Sequence, residues 1–228
     1  MHHFYLPPEN CRGTALRLDG REAHHALHVL RLKRGECVTV LDGTGSEFLC
    51  DVDGTAKDFI SLVVKEKKSI PAPPCPISLF VAVPKGKLIE GIIQKAVELG
   101  AHRIVPLLTE RVLTQLDGEG AEHKREKWQQ VAIEAIKQCG ALWLPHVEAP
   151  VALKEFLASR EKPELTLVAS LQTERRHPRA FFAEFQKQHN RAPKSVGVWI
   201  GPEGDFTLAE LSGIEAGGAK PITLGELT

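Results

Sequence analysis

The chain has 228 residues, 43% of them hydrophobic and 25% charged, which is enough for one large or two small globular domains. Lysine plus arginine equals aspartate plus glutamate at 29 each, which excludes a generally basic nucleic-acid binder and confines any RNA contact to a local patch. The five cysteines, Cys11, Cys37, Cys50, Cys75 and Cys139, never fall as Cys-x-x-Cys, and neither a signal-peptide pattern nor a long apolar run is present. These features predict a reduced, cytoplasmic protein with no zinc cage and no membrane span.

Residues 1–70 contain short β-branched segments bounded by turn residues: Ala15–Leu18, Glu36–Leu41, Glu47–Val52 and Phe59–Val64, with Asp42-Gly43 and Asp53-Gly54 between them. A small β-barrel is the expected form. One helix is predicted over Arg21–Leu32, where Ala23, Ala26, Leu27 and Leu30 share a face. His24 and His28 stand four residues apart on the rest of it, but no third ligand follows at zincin spacing, so no metal is expected. That face is read as solvated, or as turned to RNA phosphates together with Arg31, Lys33 and Arg34.

Residues 71–76 are the clearest linker, because the prolines of Ile70-Pro-Ala-Pro-Pro-Cys-Pro76 favour extended backbone and oppose both helix and central strand. From 77 to 228 strand and helix patterns alternate, the mark of a mainly parallel α/β sheet. Strands are predicted at Ile77–Val83, Arg103–Leu108, Leu165–Ser170, Val196–Ile200 and Pro221–Leu224. The helices between them are placed at Lys87–Leu99, Ala121–Cys139, Ala152–Ala158, Arg179–Gln188 and Leu208–Ala216, with Gly100, Gly140 and Gly217 as terminating caps. The first of these helices has an apolar stripe of Leu88, Ile89, Ile92, Ile93, Ala96 and Leu99. Lys85, Lys87, Lys95 and Arg111 fall near strand ends, where a polyanion would approach, although such cations taken singly are more often plainly solvated.

The most informative stretch is Val196–Ile200 followed by Gly201-Pro202-Glu203-Gly204-Asp205-Phe206-Thr207. An apolar run suits a strand covered on both faces, and the loop beyond it lies at the carboxyl end, where open α/β sheets bind ligands. Gly201 and Gly204 allow positive φ or close approach, Pro202 limits disorder, and Thr207-Leu-Ala-Glu210 matches a capping box. Spacing alone leaves a ligand loop and an ordinary connector equally open.

In order along the chain, Lys85-x-x-x-x-Glu90, Gln94-Lys95-x-x-Glu98-Leu-Gly100, Thr109-Glu-Arg111, Gln138-Cys-Gly140, Ile200-Gly-Pro-Glu-Gly204 and Thr223-Leu-Gly225 resemble the bacterial ribosomal RNA methyltransferases of the RsmE type. His24-His25-x-x-His28-Val-Leu-Arg31 is similar to that family's RNA-binding domain. The resemblance implies a PUA-like β-barrel followed by a SPOUT-type α/β domain with a trefoil knot, an exception to the rule against knotted chains. It implies a homodimer that uses S-adenosylmethionine to methylate N3 of a uridine in 16S ribosomal RNA of the small subunit.

By the same resemblance, three loops hold the cofactor: Leu171, then Ile200, Gly201, Pro202, Glu203 and Gly204, then Leu224 and Gly225. Glu203 is the carboxylate nearest this pocket, as a general base or as a brace for loop amides. Arg31, Lys85, Lys95 and Arg111 are candidates for RNA phosphates. Two departures stand out. Relatives continue past Leu-Gly into an Ile-Leu-Arg-x-Glu-Thr-Ala segment where this sequence has Gly225-Glu-Leu-Thr228, so the expected knot is incomplete and the family's arginine is missing. Ala141 stands where many relatives carry arginine. A non-catalytic RNA-binding protein on the same scaffold, or a SPOUT methyltransferase with another RNA target, are the alternatives. Alanine at Arg31, Lys85, Lys95 and Arg111 is expected to weaken RNA binding and flatten its salt dependence, and an unchanged salt slope in all four would reject that assignment.

Overall fold

Five strands form near the amino terminus, the last four from short alternating or apolar segments: β1 His2–Tyr5, β2 Ala15–Leu18, β3 Cys37–Leu41, β4 Ser46–Thr55 and β5 Ile60–Ser69. The computed structural model describes residues 1–111, 118–159, 162–171 and 175–225. These strands make one sheet in the order β1-β3-β4-β5-β2, antiparallel except for β1 against β3. Phe4, Leu18, Val38, Val40, Ile60 and Leu62 are buried in its core. β1 escapes the sequence pattern because His2-His3-Phe4-Tyr5 neither alternates in polarity nor is bounded by turn residues. The Asp42 carboxylate accepts from the amides of Thr44 and Ser46, at 2.8 and 2.9 Å, and closes the turn that Asp42-Gly43 predicts.

The helix expected over Arg21–Leu32 is shorter and of two kinds. α1 spans Gly20–His24, and a π-helical turn follows over His25–Val29. The Leu30 amide donates to His25 O at 3.0 Å, and Arg31 then turns to φ 55°, which ends the helix. Ala23 and Ala26 reach the core, with Leu27 and Leu30 packed against it.

In the second sheet the strands are β6 Ile77–Ala82, β7 Arg103–Leu108, β8 His146–Val147, β9 Val151–Ala152, β10 Leu165–Ala169, β11 Val196–Ile200 and β12 Lys220–Ile222. All pairs are parallel, in the order β12-β10-β11-β6-β7-β8, with β9 also on β7. β8 and β9 have two residues each, too few to produce a period in the sequence. The helices are α2 Leu88–Glu98, α3 Gly118–Cys139, α4 Leu153–Ala158, α5 Pro178–His189 and α6 Leu208–Ala216. In α2 the buried face is Ile89, Ile93, Ala96 and Val97; Leu88 and Leu99, expected in the stripe, are 60% and 85% exposed. Leu88 is the first residue of the helix and Leu99 its C-cap, outside the buried face. At the end of α6 the left-handed residue is Gly218, φ 101°, rather than Gly217, φ −68°.

Gly197 in the middle of β11 is set by space. A Cβ there would lie 2.6 Å from a ring carbon of Phe80 and 2.9 Å from Pro163. The missing side chain lets β11 sit against an aromatic cluster in which Phe80 and Trp199 have ring centres 4.8 Å apart and Phe156 packs on both.

The chain divides into two compact units. One contains Met1–Ala72 and also Ile133–Leu144; the other contains Pro73–Ala132 and Pro145–Thr228. Within the first, Lys137 Nζ donates to Glu22 Oε1 at 2.8 Å, with side chains only 7% and 12% exposed. The other Glu22 oxygen accepts from the Tyr5 amide, and Lys137 O is bonded to the His3 ring at 2.8 Å. Removing one member of a buried pair leaves an uncompensated charge, at a cost of about 3 kcal/mol, whereas replacing both by apolar residues is nearly neutral. Lys137→Ala is expected to lose about that much stability in urea unfolding, and Glu22→Leu with Lys137→Met to recover most of it.

Candidate functional site

Because the second sheet is parallel, the loops leaving β12, β10 and β11 emerge side by side at its carboxyl ends. Between them lies a cleft of about 220 Å³. Leu171 lines it from the loop after β10, Ile200, Gly201, Pro202 and Glu203 from the loop after β11, and Leu224 from beyond β12. Leu171 and Leu224 are 63% and 57% exposed, so the cleft offers apolar surface that no other described residue covers. Arg175 is the cation among its lining residues, and its guanidinium donates to Ser170 O at 3.3 Å.

A larger hollow, about 280 Å³, lies at the opposite, amino ends of β10 and β12, around Lys162, Leu165, Phe185 and Lys220. Its carboxylates already have partners. Glu164 is bonded by the Arg191 guanidinium and then by the Lys194 amide, which hold it down to about 2, and Glu184 pairs with Arg176. The smaller cleft is the candidate site, because strand-end loops with ligand-accessible backbone converge there.

The loop after β11 is held by a network that the sequence does not reveal. Asp205 has φ 60°, and its amide donates to Pro202 O at 2.9 Å. Its carboxylate accepts from two amides, Leu171 N at 2.9 Å and Phe206 N at 2.8 Å. Arg111 Nη1, beyond the end of β7, donates to the carbonyls of Gly204 and Asp205. Phe206 is fully buried and draws the chain back into the core. The predicted capping box is present: Glu210 N donates to Thr207 Oγ1 and Thr207 N to Glu210 Oε2. The second Glu210 oxygen accepts from the Glu110 amide at 2.8 Å, so the cap also ties α6 to the end of β7.

Residues 71–228 match the family described as RNA methyltransferase domain, and residues 18–65 match the RNA methyltransferase PUA domain. A Synechocystis ribosomal RNA small subunit methyltransferase E is 33% identical over 227 residues, 99% of this chain and 71% of its own length. The chain belongs to the ribosomal RNA small subunit methyltransferase E family. A methyltransferase from Legionella pneumophila, solved with bound S-adenosylmethionine, superposes with a TM-score of 0.84 at 29% identity, covering 98% of this chain and 88% of its own. The Neisseria gonorrhoeae member of the family, also solved with S-adenosylmethionine, gives 0.82 at 25% identity, with 99% and 90% covered. The PUA-like first domain and parallel α/β second domain expected from the sequence agree with these matches.

Of the residues that the family resemblance assigns to the cofactor, six line the cleft: Leu171, Ile200, Gly201, Pro202, Glu203 and Leu224. Gly204 and Gly225 flank it without lining it. The glycines of the loop do not take positive φ as expected; Asp205 does. Space is the reason at Gly201, where a Cβ would meet Phe206 N at 3.0 Å; at Gly204 a Cβ would meet the far end of the Arg111 side chain, at 2.9 Å. Among the described residues, loop amides are held by Asp205 and Glu210. Glu203 itself is exposed at the cleft, with no hydrogen bond among the described residues.

The four cations expected at RNA phosphates fall in different places. Arg31 is exposed on the first unit, and Lys85 is exposed ahead of α2. Lys95 is bonded to Glu98 at 2.8 Å, which leaves its ammonium partly engaged. Arg111 is bonded to the loop carbonyls and acts first as a brace. Residues 226–228, on which the expected departure from the family pattern falls, lie outside the described residues. A hydrogen bond from a charged donor contributes about 1.5 kcal/mol, somewhat less when exposed to solvent. Arg111→Ala is therefore expected to speed amide exchange at Asp205 and Phe206 by about fivefold to tenfold, measured by hydrogen–deuterium exchange of the loop peptide.

Proposed function

We propose that this chain transfers a methyl group from S-adenosylmethionine to N3 of a uridine in 16S ribosomal RNA of the small subunit. Membership of the family supports S-adenosylmethionine-dependent ribosomal RNA methylation, and the choice of N3 extends that reading. The observation that carries it is the convergence of three adjacent strand-end loops on one cleft, with six of the expected cofactor residues in its lining.

The cleft fits the cofactor chemically. Leu171, Ile200, Ile222 and Leu224 offer apolar walls for an adenine and a methylene chain, while Arg175 offers a cation, and Glu203 and Asp205 offer carboxylates, to an ionic amino-acid tail and a sulfonium. When bound, the cofactor supplies an activated methyl carbon. The chain's own residues must then hold uracil N3 in line with it and help N3 release its proton. Glu203 is available for that proton, because Asp205 and Glu210 already hold the loop amides. Water is kept from the loop's inner side by Phe206 and Trp199, both buried.

We assign RNA contact to residues 1–70, a linker role to 71–76 and methyl transfer to 77–228. A homodimer, a trefoil knot in the second domain and a cytoplasmic location are proposed on the same family resemblance. The five thiols, all unpaired, suit a reducing compartment. Burial and nearby Asp42 push the Cys11 thiol up to about 11, and burial pushes Cys50 up to about 12, which keeps both unreactive.

The deciding experiment is transfer of labelled methyl from S-adenosylmethionine to small subunits lacking the modification, followed by nucleoside mapping. Label is expected in 3-methyluridine, and Glu203→Gln is expected to lower kcat about a hundredfold with RNA affinity retained. Label on a ribose or another base would overturn the N3 assignment. RNA binding without any transfer would favour a non-catalytic RNA-binding protein.

A further inference from the structure

We propose that Asp205 is a positioning residue for the cofactor, setting the separation of the two loops between which the cofactor lies. This rests on the reading of the cleft as the S-adenosylmethionine site.

Asp205 is where three strand ends meet. Its side chain reaches the loop after β10 through the Leu171 amide, at 2.9 Å. Its carbonyl is held from the end of β7 by Arg111, at 3.1 Å. Its own amide closes the turn on Pro202 O. Leu171 from one loop and Gly201, Pro202, Glu203 and Asp205 from the other line the same cleft, so the Leu171 to Asp205 bond ties together the two loops that form it.

The backbone argues the same way. At φ 60° an aspartate occupies the left-handed region that glycine enters freely, and the strain is tolerated by Asp and Asn because their side chains bond locally. Here each carboxylate oxygen takes one amide, Leu171 N on Oδ2 and Phe206 N on Oδ1. A loop that needed only its turn would be served as well by glycine. The carboxylate adds the tie to Leu171. With both oxygens engaged by amides, it orders the site and takes no proton from substrate.

Asp205→Gly separates these roles, because glycine keeps the left-handed turn and removes the tie. Asp205→Asn keeps the backbone preference and one acceptor oxygen. Binding of S-adenosylmethionine is measured by calorimetry for the wild type and both variants, alongside thermal unfolding, RNA affinity and single-turnover methyl transfer at saturating cofactor.

The expected result is a Kd for S-adenosylmethionine raised about tenfold in Asp205→Gly and by less in Asp205→Asn. Tm and RNA affinity are expected to stay unchanged, and transfer at saturating cofactor to fall less than threefold. Wild-type affinity in Asp205→Gly would overturn the proposal. A collapse of transfer in Asp205→Asn at saturating cofactor would also overturn it, by making the carboxylate a participant in proton transfer. If the wild-type chain itself binds no S-adenosylmethionine, the reading of the cleft fails, which is a different result from equal binding by wild type and variants.

Discussion

The cleft depends on how closely β11 lies against the aromatic core beneath it. Gly197 admits the Phe80 ring at a distance no side chain would allow, and Trp199, two residues on, packs into the same cluster. At the far end of the loop Phe206 returns to that core with no exposure at all. The five residues from Gly201 to Asp205 are therefore strung between two buried aromatic anchors. A loop held in this way loses little further freedom when a ligand arrives, and that preorganisation favours binding.

Three carboxylates close together in sequence have separate duties, decided by burial and by which amides they meet. Glu210 is 8% exposed, and its two oxygens cap α6 and hold the Glu110 amide. Asp205 holds amides of two loops. Glu203, exposed at the cleft between them, faces solvent and any ligand. Of the three, Glu203 is the carboxylate with no hydrogen bond among the described residues.

Much of the second sheet was legible because its strands are apolar runs separated by amphipathic helices, and Arg103–Leu108 and Val196–Ile200 have the limits their periodicity predicts. The capping box was legible for the same reason, its signal being local: Thr207 and Glu210 are three residues apart. The ties that shape the site were not, because they join residues with no common period. Leu171 and Asp205 are 34 positions apart, Arg111 and Asp205 94. The choice between the two reasons for Gly201 and Gly204, positive φ or close approach, was hidden for the same cause. A sequence shows that a side chain is missing, but only the fold shows whether torsion or crowding excludes it. The π-helical turn at His25–Val29 was hidden differently, by leaving Ala23, Ala26, Leu27 and Leu30 on a face that an ordinary helix would also present.

α3 contributes to both compact units, its residues from Ile133 onward and the segment to Leu144 being grouped with the amino-terminal sheet. Leu144 N donates to Gly43 O and Gly45 N to Leu142 O, and Lys137 sits in the pair with Glu22. The amino-terminal fold is thus assembled from two pieces of chain that synthesis delivers some sixty residues apart. A ribosome that has released residues 1–72 has not yet supplied everything this unit is built from. Gene fragments cut at the proline-rich stretch would inherit the same deficit, so the modules that look separable in one dimension are not interchangeable parts.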